Sequence, residues 1–262
     1  VSFEIQAFQT SKAGSKPEEC EDALSFDPQG SLFAIADGAT DSAFQRLWAG
    51  LLVKGFINHP PDFSSSKPSS IRDWFGGWLK NQQDLWNNNI QWDTLSWSGH
   101  NKAKMTGGLA TFLGIYFFPN KLVWKGIAFG DCNLFQFRTY QLIRDIWDWK
   151  PLVYSEQFGS NPVALSSISP KPELMLTHMD EIIGDYAKGD IFFLATDALS
   201  AWLLKEIENN NSSPCDELLR LKTSEEFETF INELRKDKKI KNDDTSLIII
   251  EITSAPDKAN SK

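Results

Sequence analysis

Leu32-Phe33-Ala34-Ile35-Ala36-Asp37-Gly38-Ala39-Thr40 runs five apolar residues into an aspartate and then a glycine. A short unbroken apolar run of this kind reads as a strand buried on both faces, and the glycine lets backbone approach a ligand closely. The same grammar recurs in Ile191-Phe192-Phe193-Leu194-Ala195-Thr196-Asp197. Late in the chain, Asn242-Asp243-Asp244-Thr245 precedes Ser246-Leu247-Ile248-Ile249-Ile250, so these carboxylates enter a strand rather than leave one. A fourth acidic cluster, Glu21-Asp22, stands near the N-terminus. In antiparallel neighbours the start of one strand lies beside the end of the next, so these clusters can meet at one sheet edge.

Outward from these anchors, β-branched and aromatic runs at 31–36, 111–118, 122–129, 134–138, 191–196 and 246–252 predict strands, and 1–10 alternates like one. Phe44, Leu47, Trp48, Leu51 and Leu52 recur at helical spacing, with Thr40 and Asp41 available as caps. Beyond a Pro/Ser loop at 60–70, Ile71, Trp74, Phe75, Trp78, Leu79, Leu85 and Trp86 predict a second helix. Leu199, Trp202, Leu203 and Ile207 predict a third directly after Asp197. Phe227, Phe230, Ile231 and Leu234 predict a fourth, opened by a Thr223/Glu226 capping box. Strands that arrive as hairpin-like neighbours, with helices in separate batches, suggest antiparallel sheets covered by helices. Trp74, Trp78 and Trp202 read as core, whereas Trp86, Trp92 and Trp97 could line an insertion or a partner surface.

Composition removes several function classes. A formal charge of −9 argues against generic nucleic-acid binding. No apolar run approaches the ~20 residues that cross a bilayer, and the N-terminus does not read as a signal sequence, so a soluble protein without membrane partners is expected. Cys20, Cys132 and Cys215 show no zinc or redox spacing and fit a reducing compartment, the cytoplasm. Acidic groups crowded without cations would repel one another and raise their pKa values, which oxygen coordination of Mg²⁺ or Mn²⁺ relieves.

The ordered set Glu21-Asp22-Ala23, Asp37-Gly38, Gly107-Gly108-Leu109-Ala110-Thr111, Gly130-Asp131, Ala195-Thr196-Asp197 and Asp243-Asp244-Thr245 resembles the metal-dependent type 2C serine/threonine protein phosphatases, in a divergent bacterial-like form. The resemblance implies an α+β, four-layer αββα sandwich with two central antiparallel sheets. It implies one catalytic domain over 1–254, a short flap-like segment at 147–179 and a flexible tail at 255–262. Two Mg²⁺ or Mn²⁺ ions per chain are implied. Asp37 would bridge them, Glu21 and the Gly38 carbonyl would complete one site, and Asp197 and Asp244 would hold the other. Asp37 and Asp197 are then the catalytic carboxylates, while Asp22, Asp131 and Asp243 support ligands or waters. A water held between the cations would attack phosphorus in line, so no nucleophilic side chain is required.

Departures from the family's wording carry their own expectations. Ala201 stands four residues after Asp197, where some relatives have a further acid, so a third metal beside Asp131 is expected absent or weak. The phosphate-contacting arginine of some relatives would fall at Pro17, which leaves Lys16 as a point-charge substitute. His59, His100 and His178 read as loop or core residues, which leaves the general acid unassigned, and Arg138 reads as ordinary strand decoration. The expected activity is hydrolysis of phosphoserine and phosphothreonine in phosphoproteins by a monomer. The alternatives are a catalytically weak relative that binds phosphoproteins, and a small-phosphoester hydrolase.

Overall fold

Successive side chains of a strand point to opposite faces, and in the central strands of this protein both faces are apolar. The computed structural model describes residues 1–27, 29–65, 67, 70–140, 143–159, 162–169, 171–210 and 213–255. Of the expected tail, residues 256–262 lie outside these. In chain order the elements begin with β1 (Ser2–Thr10), β2 (Ala23–Phe26), β3 (Leu32–Gly38), α1 (Gln45–Asn58), α2 (Ser70–Asn89) and α3 (Trp97–Met105). Next come β4 (Leu109–Phe118), β5 (Val123–Phe129), β6 (Asn133–Tyr140), β7 (Ile143–Lys150), β8 (Leu165–Ser166) and the short α4 (Pro172–Met175). The chain continues through β9 (Asp180–Asp185), β10 (Ile191–Ala195), α5 (Asp197–Glu208), α6 (Ser213–Arg220), α7 (Ser224–Lys236) and β11 (Thr245–Ser254).

Two antiparallel sheets result, ordered β1-β11-β10-β6-β7 and β2-β3-β4-β5-β9, with β8 on β4. Three separate cores show how they stack. Phe33 and Ile35 of β3, Phe192 and Leu194 of β10 and Ile248 and Ile250 of β11 meet in a core between the sheets. Their alternating partners face outward: Ala34 and Ala36 pack under α1 and α2, while Phe193 and Ile249 pack under α5 and α7. The expected αββα sandwich is therefore observed. Full burial of each large side chain stabilises the fold by about 1.5–3 kcal/mol, which is why three-sided apolar content survives in a chain of this charge.

Some elements escaped the sequence reading. β2 and β9 are short, and β9 carries Asp180, Glu181 and Asp185 in a six-residue strand at a sheet edge, where polar residues are tolerated. α1 begins differently from expectation. Neither Thr40 nor Asp41 caps it; its first turn follows Phe44, which adopts a left-handed φ of 54°. By contrast, Thr223 accepts the Glu226 amide and Glu226 returns to the Thr223 amide, so the predicted capping box closes α7. Trp86 is buried and in edge contact with Trp92, whereas Trp97 is 82% exposed on α3.

Arg138 also has a larger role than decoration. Its guanidinium donates Nε to Asp190 Oδ1 at 2.8 Å and Nη2 to Oδ2 at 2.6 Å, a bidentate pair, and reaches Asp185 at 3.2 Å. Asp190 is buried and also accepts from Gln136 Nε2 and the Ala187 amide. This network clamps β6 to the turn that joins β9 to β10. Removing one partner of a buried pair strands the other charge. Asp190→Ala is expected to lower the unfolding free energy by about 3 kcal/mol in urea titration; a loss below about 0.5 kcal/mol would show the pair to be dispensable.

Candidate active site

Strands β3, β10 and β11 each meet an aspartate at one edge of the sandwich, and the backbone there is fastened in place. Gly38 closes β3 where the Glu21 carbonyl passes: a Cβ on it would stand 2.6 Å from that oxygen. The loop after Gly38 is laid onto the start of β4, with the Ala39 amide donating to Leu109 and the Ala43 amide to Gly107. Gly107 makes this possible with a φ of +65°, and Gly108 lies so close to Trp48 that its Cβ would approach the Trp48 Cβ to 2.8 Å. The glycine pair is thus a packing device that aims the Asp37 turn.

Asp22 ties the two sheets together. Its Oδ2 accepts from Thr196 Oγ1 at 3.0 Å, just beyond β10, and from Ser246 Oγ at 2.8 Å on β11. Its Oδ1 is buried without a hydrogen-bond partner, as is Asp131 Oδ1. Asp37 is half-buried, and no hydrogen-bond donor among the described residues reaches its side chain. Burial, then the fields of Asp22, Asp197, Asp131 and Asp243, push its carboxyl well above the ordinary range. Burial foremost raises Asp22 to about 8 and Asp131 to about 7, and it raises Asp197 as well. These carboxyls form one electrostatic cluster at the edge where β3, β6, β10 and β11 begin or end.

The two neighbouring aspartates of β11 have different roles. Both oxygens of Asp244 are taken by backbone amides, Lys12 at 2.7 Å and Glu21 at 2.7 Å, so this residue staples the N-terminal segment to β11. Asp243 instead turns its carboxylate to Lys241 Nζ at 2.6 Å, and the same ammonium stands 3.4 Å from Asp197. Glu21 is held by Thr40 Oγ1 at 2.6 Å, Gln45 Nε2 at 2.5 Å and Lys12 Nζ at 3.4 Å. Lys16, expected to face phosphate, is exposed on a 3₁₀ turn, where its backbone amide bonds Glu19. Lys12 and Lys241, passed over in the sequence, bring ammonium groups to the carboxylates of the cluster, while the Arg235 guanidinium donates to the Asp243 carbonyl at 2.6 Å. The only sequence signal of the two lysines was proximity, nine residues before Glu21 and two before Asp243.

Among the described residues, no three His, Cys, Asp or Glu side chains converge on one point closely enough to hold a metal ion. Ammonium groups, a hydroxyl and an amide stand among the carboxylates instead. The donor chemistry nonetheless fits hard divalent cations: the set is oxygen only, two buried carboxylate oxygens lack partners, and Asp37 has no donor. Lys241 is 61% exposed along its side chain and so is free to swing out toward water. Cys132, beside Asp131, is buried, shares a hydrogen bond with Thr111 at 3.2 Å, and has its thiol pushed well up by burial and by Asp37. It has none of the thiolate character of a nucleophile. His178, read in the sequence as a loop or core residue, lines a cavity of about 350 Å³ with Asp131, Thr177 and Asp180.

No described helix is long and apolar enough to cross a membrane. No protein-family model and no curated protein matches the sequence. Solved structures do match the fold. The catalytic domain of the serine/threonine protein phosphatase PstP in complex with two manganese ions superposes with a TM-score of 0.57 at 13% identity, covering 96% of this chain and 99% of that one. Stp1 from Staphylococcus aureus, a serine/threonine phosphatase, gives 0.60 at 13% identity over 97% of this chain and 96% of that one. The PPM Ser-Thr phosphatase MsPP from Mycobacterium smegmatis gives 0.55 at 15%, over 95% and 98%. From its first strand to its last, the chain therefore has the fold of the PPM-type, or type 2C, serine/threonine phosphatases.

Proposed function

We propose that the protein is a metal-dependent phosphatase that hydrolyses phosphoserine and phosphothreonine in phosphoproteins. The observation that carries this reading is the carboxylate cluster around the half-buried Asp37, with Asp22, Asp131 and Asp197 buried beside it, placed at a sheet edge of a phosphatase fold and short of compensating charge. Two divalent cations would be held by Asp37 in common, by Glu21 and the Gly38 carbonyl on one side, and by Asp197 and Asp243 on the other. Asp243 takes the place expected of Asp244, because Asp244 already satisfies two amides that would otherwise be orphaned. When bound, such cations supply a water of lowered pKa and neutralise phosphoryl oxygens.

The chain's own groups do the rest. Thr40 and Gln45 hold Glu21 in one orientation, so it arrives at the site already ordered. Thr196 and Ser246 fix Asp22 behind Asp37, where its free oxygen is available to orient water. Lys12, at the rim beside Thr40, is positioned to meet a phosphoryl oxygen as a flexible point charge in place of Lys16. Ala201 provides no ligand for a third cation beside Asp131. Cytoplasmic location agrees with Cys20 and Cys132, which are buried and form no disulfide among the described residues.

Hydrolysis of p-nitrophenyl phosphate should require Mn²⁺ or Mg²⁺ and fall by more than about 100-fold in Asp37→Asn, since even outer partners of metal ligands cost ~10–100-fold. Metal-independent turnover, or full activity in Asp37→Asn, would overturn the reading. Asp243→Asn should weaken Mn²⁺ binding in calorimetry more than Asp244→Asn; the reverse order would return the ligand role to Asp244. A carboxyl kept neutral by the fold but ionised above pH ~4 in the unfolded chain destabilises the protein progressively as pH rises through that window. Without added metal, the melting temperature of Asp22→Asn relative to the parent should therefore climb between pH ~4 and ~8, the window set by Asp22's raised value. A difference independent of pH would show that Asp22 is ionised throughout.

A further inference from the structure

Along α5, directly beside Asp197, lies a cavity of about 510 Å³ walled by three lysines, Lys205, Lys239 and Lys241. Its floor is apolar, formed by Ala201, Trp202 and Ile240, and Ala201 is the small side chain that keeps the space beside Asp197 open. Lys205 and Lys239 are exposed and make no ion pair among the described residues, whereas Lys241 is shared between Asp197 and Asp243. Asp197 and Glu156 are the acids on the wall, so the groove is net positive on a chain of net charge −9. The wall that carries Glu156 is rigidly placed: Ser155 donates its amide and hydroxyl to the two oxygens of Glu208 on α5, at 2.7 and 2.5 Å.

We propose that this groove binds an acidic stretch of the substrate phosphoprotein, next to the phosphorylated residue. The inference deepens the phosphatase reading and rests on it for the position of the phosphate. Charge complementarity selects the occupant, because unpaired ammonium groups over an apolar floor favour a segment with carboxylates on an otherwise ordinary side-chain background. The spacing is set by the helix. Asp197 and Lys205 are eight residues apart, roughly 12 Å at 1.5 Å per residue. An extended peptide covers roughly 3.3 Å per residue. Lys205 therefore meets a side chain three or four residues from the phosphorylated one.

The test uses the full chain and two fluorescein-labelled phosphoserine peptides, identical except that glutamates at three and four residues from the phosphoserine, on both sides, are glutamine in the second. Binding is read by fluorescence anisotropy at low salt. Wild type should bind the acidic peptide about fivefold more tightly than the neutral one, as a few partly exposed charge pairs allow. In Lys205→Gln/Lys239→Gln that ratio should fall to about one. Equal affinity in wild type, or a ratio untouched by the double substitution, would overturn the proposal. Wild-type hydrolysis of p-nitrophenyl phosphate with Mn²⁺, measured alongside, separates the two claims. Hydrolysis without peptide discrimination sinks the groove alone, and discrimination without hydrolysis leaves the groove standing and sinks the phosphatase reading.

Discussion

Like charges held together inside a protein are the constraint on which this structure turns. Two carboxylates about 4 Å apart repel by about 4 kcal/mol at an effective dielectric of about 20. A domain stable by roughly 5–15 kcal/mol cannot carry several such contacts uncompensated. Asp22, Asp37, Asp131, Asp197 and Asp243 nevertheless lie within one another's fields. The cluster is tolerated because several carboxyls are pushed toward their neutral forms and Lys241 and Lys12 reach in from the rim. Both devices are reversible, as the proposed binding of external positive charge requires.

The sandwich makes this crowding possible at acceptable cost. Its large apolar content is spread over three cores, and the two sheets are held together by Phe33, Phe117, Phe192 and by Ile248, Ile250 and Ile252 of β11. Near the acidic edge the fasteners become polar: Asp22 joins the sheets through Thr196 and Ser246, and Asp244 pins two N-terminal amides. Asp22 and Asp244 are thus fasteners of the fold, which explains how adjacent residues, Asp243 and Asp244, come to differ.

The strands that carry Asp37 and Asp197 were legible in the sequence because unbroken apolar runs ending in an acid have few other readings. The four layers were legible as a resemblance. Period alone would not have shown which face of each strand meets helices, since both faces are apolar. What the sequence concealed was side-chain direction. Asp243 and Asp244 are equivalent on paper, and only the amides of Lys12 and Glu21 tell them apart. Lys241 and Lys12 were invisible because lysines near acids are usually surface pairs, and their meaning depends on where strands separated by hundreds of residues end. Arg138 was misjudged for a related reason: its partner, Asp190, lies in a turn 52 residues away.

On the proposed reading, the carboxylates around Asp37 hold two cations. Anomalous scattering from crystals soaked in Mn²⁺ tests it most directly. Two peaks flanking Asp37, roughly 3.5–4 Å apart, are expected, with the Lys241 ammonium displaced from Asp197 and Asp243. No peak at that edge, with Lys241 still seated between the two carboxylates, would contradict it.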